Sequence, residues 1–180
     1  AGELGWELHI PMQNVAELYD SLMDTGTEFG IENFGTYAMN SLRMEKAYKG
    51  WGSELTTEIT PNEAGLERFV DFSKSFIGRE ATLSRKLLGI NTKLVYLEVD
   101  ANDTDCLGNE PVLNGEQIIG VTTSGAYGHT VRKSLAFAYV HPQYADTGTN
   151  FEIRILGQNC SATVLKEAAY DPQNLRLKDV

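Results

Sequence analysis

From Leu94 onward the chain is written as short strands, and their length and spacing leave few ways to fold. Leu94–Val99, Gln117–Thr122, Leu135–Val140, Phe151–Leu156 and Ser161–Leu165 are rich in β-branched, aromatic and aliphatic residues. Gly, Asn, Asp and Pro separate them as turn residues. Five short strands at this spacing predict a small antiparallel barrel, with a sandwich as the alternative.

Before residue 90 the periodicity is different. Trp6, Leu8 and Ile10 alternate with Glu7 and His9, which reads as a half-buried strand stopped by Pro11. Asn14 then precedes Val15, Leu18, Tyr19 and Leu22, an apolar stripe at helical spacing, with Asn14 as N-cap and Gly26 as the stop. A second helix is expected over 35–47, ended by Gly50-Trp51-Gly52. Thr60-Pro61-Asn62-Glu63 carries a capping hydroxyl, a Pro at the first helical position and a Glu at N3, and predicts a third helix presenting Leu66, Phe69 and Val70. A fourth is expected over 79–88, ending at Gly89. The fold class is therefore α+β, with an α+β part over 1–90 and an all-β barrel over 91–180. Neither an internal repeat nor a low-complexity stretch interrupts it.

Composition narrows the function classes. The 180 residues are 42% apolar and 22% charged, which excludes disordered and collagen-like chains. A chain of this length buries roughly 70% of its unfolded surface when compact. The net charge of −10, from 15 basic against 25 acidic residues, argues against a nucleic-acid partner, which needs a basic face. Cys106 and Cys160 are the two cysteines; one disulfide is conceivable, but they make no scaffold and fit a reducing compartment better. His9, His129 and His141 are scattered without ligand spacing, so metal binding is unsupported. No apolar run approaches the ~20 residues of a membrane span, and no basic-then-apolar leader opens the chain. The opening residues read instead as the middle of a strand-forming element, and the expectation is a fragment or a processed chain.

The motifs carry a resemblance. Gly2-Glu3-Leu4-Gly5-Trp6-Glu7 resembles the G-E-x-G-x-E element of the glycine-cleavage T-protein family. Ser41-Leu42-Arg43-Met44-Glu45 is similar to its S-L-R-x-E helix, Thr60-Pro61-Asn62-Glu63 to its T-P-x-E element, and Phe76-Ile77-Gly78-Arg79 to its F-I-G-[KR] segment. Gly120-Val121-Thr122-Thr123-Ser124-Gly125 is similar to its G-x-V-T-S-G turn, and Lys133–Val140 to the strand after it. Each is weak alone; in order and over nearly the whole chain they are strong. Tyr48-Lys49-Gly50-Trp51-Gly52 and Ala126-Tyr127-Gly128-His129 lean towards the branch fused to dimethylglycine and sarcosine dehydrogenases.

The resemblance implies a tetrahydrofolate-binding aminomethyltransferase-like module. Its task is to capture a one-carbon unit on tetrahydrofolate, giving 5,10-methylenetetrahydrofolate. One carboxylate can accept from a pterin ring N–H and its exocyclic amino group, with charge-assisted bonds worth about 1.5–3 kcal/mol each. Glu7 matches the family glutamate in that role; read alone it is a polar residue on a strand's outer face. Arg43 matches an arginine that helps build the folate site; read alone it is a solvated Arg paired with Glu45 or Glu32. Tyr48 either stacks on or bonds the pterin, or packs in the core. Glu3 holds the turn. Arg68 stands where the T-proteins often carry an aromatic near the folate, which puts the pterin-edge contact in doubt.

Ser124-Gly125 and Tyr127-Gly128-His129 are expected to form a loop over the cavity. His129 there is read as a turn residue rather than a general base, and Asp100, Asp103 and Asp105 as ordinary turn carboxylates. The resemblance places the family's catalytic aspartate upstream of Gly2-Glu3, so no catalytic residue is assigned here, and this chain alone is expected to be inactive. FAD is expected only in an absent upstream domain, because no G-x-G-x-x-G fingerprint is present. The expected partners are a reduced folate and the upstream part of the same polypeptide. The alternatives are the glycine-cleavage T-protein itself, a folate-dependent demethylase, or a non-catalytic scaffold of the same fold. The cytoplasm is the expected compartment, or the mitochondrial matrix for a eukaryotic protein.

Overall fold

The strand-forming half closes on itself. In the computed structural model, which describes residues 3–178, six strands form one barrel: β1 (Lys93–Val99), β2 (Pro111–Asn114), β3 (Gln117–Gly128), β4 (Lys133–Val140), β5 (Asn150–Ile155) and β6 (Gln158–Val164). Their order around the barrel is β1-β4-β3-β2-β5-β6, every neighbouring pair is antiparallel, and β6 returns to β1. Closure leaves no unpaired sheet edge.

Register explains the apolar pattern. Val95, Leu97, Ala136, Ala138 and Val140 share the barrel interior with Ile119, Ile153 and Val164. On the outer face of the same two strands, Leu94, Tyr96, Leu135, Phe137 and Tyr139 form a second cluster with Met44. Because β1 and β4 are buried on both faces, they read as continuous apolar runs rather than alternating ones. β5 and β6 alternate, with one face wet.

The helices are α1 (Val15–Gly26), α2 (Thr36–Glu45), α3 (Arg79–Leu88) and the short α4 (Leu175–Lys178). Among the described residues before Met44 none is buried, and α1 exposes much of Val15, Tyr19 and Leu22. No helix among the described residues is long and apolar enough to cross a membrane.

Several expectations are corrected. Residues 6–10 form no strand: no described strand lies beside them to complete a ladder, so Trp6 and Leu8 are exposed. Asn14 makes no side-chain cap, and the chain tightens past Gly26 into a 3₁₀ turn that ends at left-handed Gly30. The capping box at Thr60 does form, with Glu63 Oε2 accepting from Thr60 N at 2.8 Å and Thr60 Oγ1 at 2.7 Å. It starts no helix, because Gly65 takes φ +65° and Phe69 finds no surface to bury against. β2 was not foreseen. The expected loop at Ser124–Gly128 is the second half of β3. α3 and its Gly89 stop fall where expected.

Candidate functional site

The S-L-R-x-E segment lies where α2 ends against the barrel, and its polar residues meet different partners. Asn40 Nδ2 donates to Gly125 O at 3.1 Å and Ser41 Oγ to Tyr127 O at 2.6 Å, seating α2 on β3. A Cβ on Gly128 would lie 2.8 Å from Glu45 Cγ, so the glycine makes room for the helix. Met44 fills the outer apolar cluster. Glu45 Oε1 accepts from Thr130 N at 2.6 Å and Val131 N at 3.3 Å. Lys46 Nζ reaches Asp171, donating to its carbonyl and its carboxylate at 2.9 Å each. Buried charges in such numbers require partners of this kind.

Arg43 is held from three sides. Its Nε donates to Asn40 Oδ1 at 2.8 Å, and Nη1 to Tyr48 O at 2.9 Å and Glu54 Oε2 at 3.2 Å. Its partner is Glu54, not the Glu45 or Glu32 expected from sequence, and its side chain is only 16% exposed. Tyr48 is partly exposed and donates to Asn174 Oδ1 at 3.3 Å. The structure thus brings Arg43 and Tyr48 together.

Glu7 stands apart from them. Its carboxylate lies 3.8 Å from His9 Nε2, both side chains are about nine-tenths exposed, and neither oxygen accepts a hydrogen bond among the described residues. Glu3 accepts from Tyr170 OH at 3.0 Å. The Arg68 guanidinium lies 4.6 Å from the Phe69 ring centre. His129 packs edge-on against Tyr127 in the β3–β4 turn. Cys106 and Cys160 are free thiols.

Sequence reasoning missed Glu54, which is fully buried. Its one available signal was an acid closing a glycine-rich loop, Gly50-Trp51-Gly52-Ser53-Glu54. Oε2 accepts from Gly50 N at 2.7 Å and Ser53 Oγ at 3.0 Å, besides Arg43. Oε1 accepts from Thr123 Oγ1 at 2.6 Å and Ser124 Oγ at 2.5 Å. Tyr139 OH donates to the Glu54 carbonyl at 2.8 Å. On the same loop Lys49 is pushed below the ordinary lysine range by burial and by the Arg68 charge, which Glu54 and Glu67 only partly offset.

Burial alone would push the Glu54 carboxyl up. Donation from Ser124, Thr123 and Gly50, with the charge of Arg43, outweighs it and holds the group below its ordinary 4.5. Glu110 behaves alike: against burial, Thr122 Oγ1 and the Leu107 and Gly108 N–H groups lower it. A carboxyl depressed in the folded state adds stability above its unfolded pKa and loses it as pH falls through the folded value. The urea midpoint is therefore expected to hold from neutrality down to the ordinary carboxylate value of 4.5 and to drop below it, less steeply in Glu54→Gln. An equally steep acid limb in Glu54→Gln contradicts this.

A pterin site needs an uncommitted carboxylate and flat apolar surface. Among the described residues Glu7 has its oxygens free of hydrogen bonds, as such a site needs, and Trp6, Tyr37 and Trp51 are exposed aromatics elsewhere on the N-terminal portion.

Comparison with known proteins agrees with this architecture. Residues 1–74 match the GCVT N-terminal domain and residues 92–171 the glycine cleavage T-protein C-terminal barrel domain. Human mitochondrial dimethylglycine dehydrogenase is 45% identical over 168 residues, covering 92% of this chain and 19% of that protein. An aminomethyltransferase of Thermoanaerobacter pseudethanolicus is 35% identical over 170 residues, 94% of this chain and 46% of its own length. The crystal structure of glycine cleavage system aminomethyltransferase T from Bartonella henselae superposes with a TM-score of 0.81 at 24% identity, over 91% of this chain and 45% of that one, which is a likeness of fold. The chain thus spans 19% of the dehydrogenase and under half of the transferases.

Proposed function

Because the chain belongs to the glycine-cleavage T-protein family, we propose that it supplies one side of a tetrahydrofolate site in an aminomethyltransferase-like module, of the dimethylglycine and sarcosine dehydrogenase kind. The observation that carries this reading is Glu7, a carboxylate with both oxygens uncommitted on the family's G-E-x-G-x-E stretch. Glu7 accepts the pterin ring N–H and amino group, while Arg43, paired with Glu54, and Tyr48 form a separate part of the folate surface. Tetrahydrofolate supplies the nitrogens that take up a one-carbon unit, giving 5,10-methylenetetrahydrofolate. The residues of this chain bind and orient it, and the proton chemistry falls to the preceding part of the module.

On this reading the chain divides into a folate-binding part over 1–90 and a barrel over 91–180, and its partners are a reduced folate and the upstream portion of the same polypeptide. FAD belongs to a separate upstream domain. The working compartment is the cytoplasm, or the mitochondrial matrix in a eukaryote. A non-catalytic scaffold is favoured by one feature, Arg68 lying over Phe69 where the T-proteins often carry an aromatic.

Calorimetric titration of 5-formyltetrahydrofolate into the natural polypeptide at full length separates the two. Glu7→Gln is expected to weaken binding about tenfold, ~1.4 kcal/mol, without moving the melting midpoint, because Glu7 is exposed. Wild-type protein that gives no heat overturns the folate reading, and a Glu7→Gln that binds like wild type removes Glu7 from the site.

A further inference from the structure

Glu54 is an expensive way to hold two surfaces together. A buried ion pair is often no more stabilising than apolar residues of equal volume, so a fully buried carboxylate calls for another reason. Its connections supply one. Through Arg43 it grips the end of α2, through Gly50 and Ser53 its own loop, and through Thr123 and Ser124 the middle of β3.

The β3 contact is unusual. Successive side chains on a strand point to opposite faces, yet the hydroxyls of Thr123 and Ser124 both donate to Glu54 Oε1. They do so because the β3–β4 register shifts between Thr122 and Ser124, a bulge that turns both towards one atom. The barrel strand is bent to serve the carboxylate. On the other oxygen Glu54 fixes Arg43, whose same Nη1 holds the Tyr48 carbonyl. The loop above is closed by Gly52 N donating to Leu55 O and Leu55 N to Gly50 O, both at 3.0 Å, and carries Trp51 almost fully exposed. Closed by these two bonds, the loop presents a tryptophan that is 89% exposed.

We propose that Glu54 is the positioning residue of the folate site, acting through Arg43 and the Gly50–Glu54 loop to hold the guanidinium, Tyr48 and Trp51 in binding geometry. This rests on the folate reading above. Glu54 touches no ligand itself; it removes the freedom that Arg43 and the loop would otherwise lose on binding.

The test uses 5-formyltetrahydrofolate and the full-length polypeptide, well below each variant's melting midpoint. Glu54→Gln keeps the shape and removes the charge, and is expected to raise Kd about tenfold. Combined with Arg43→Gln it adds little to the loss from Arg43→Gln alone, since both act on one contact. Ile153→Ala, which destabilises the barrel interior, leaves Kd within about twofold and so separates positioning from general stability. Ser124→Ala keeps the carboxylate and removes one donor; it weakens binding about threefold and remains decisive should Glu54→Gln not fold. Folded Glu54→Gln or Ser124→Ala binding like wild type overturns the inference alone, as do fully multiplicative losses with Arg43→Gln. Wild-type protein that binds no folate overturns the functional reading, and this inference with it.

Discussion

Gly120→Ala is expected to cost the fold about 3 kcal/mol or more, at the upper end of overpacking penalties. Gly120 opens the G-x-V-T-S-G motif, and its backbone lies in the ordinary extended region, so the issue is space. A Cβ there would sit 2.2 Å from Tyr139 O and 2.9 Å from Val140 Cα. These are main-chain atoms of β4 and cannot rotate aside. β4 can retreat only by leaving β1, to which it is paired from Lys93↔Val140 to Val99↔Ser134. Relief at one seam therefore opens the next, and the interior residues Val95, Ala138 and Val140 lose their contacts. Urea unfolding measures it. Gly5→Ala, with no neighbour nearer than 3.9 Å, serves as the neutral control. A Gly120→Ala stability within about 1 kcal/mol of wild type would mean that β4 yields more easily than a closed barrel permits.

The same motif marks the limit of what could be read from sequence. Glycine and small hydroxyl residues from Ser124 to Gly128 look like a loop, because nothing local distinguishes a flexible glycine from one that lets two backbones touch. β1 and β4 were legible because burial on both faces writes them as unbroken apolar runs. β2 was not, since four residues beginning with Pro111 carry too little pattern. The Thr60 capping box was a true local signal, but a cap starts a helix only if the following turns find a face to bury, and Phe69 stays exposed. Trp6–Ile10 shows the converse: its alternation is real, while a strand also needs a neighbour. At the site, Arg43 was legible through the motif and its partner was not. Local pairing rules look three or four residues along a helix, whereas Glu54 lies 11 residues on and takes its donor from Ser124, 70 residues further.

Phe137→Ala is expected to lose about 3–5 kcal/mol of stability, the range for deleting a buried phenyl ring, and, on the proposed folate function, to weaken binding of 5-formyltetrahydrofolate as well. Phe137 is 2% exposed on the outer face of β4, its ring 5.2 Å from that of Tyr96, in the cluster that receives Met44 of α2. In the ladder it stands opposite Ser124, the Glu54 donor. Removing the ring opens a cavity between the barrel and the one helix that carries Arg43. α2 is pinned to β3 by Asn40 and Ser41, so it cannot sink far enough to fill the space. Ile153→Ala, from the barrel interior, is expected to cost about 2–5 kcal/mol while leaving the outer cluster intact. Both variants should lower the urea midpoint, and only Phe137→Ala should raise the Kd for 5-formyltetrahydrofolate. Equal effects of the two on binding would mean that the site senses the stability of the barrel as a whole. A loss confined to Phe137→Ala would locate the coupling in the apolar layer beneath α2, where the barrel's role is to hold Arg43 and the Glu54 loop in register.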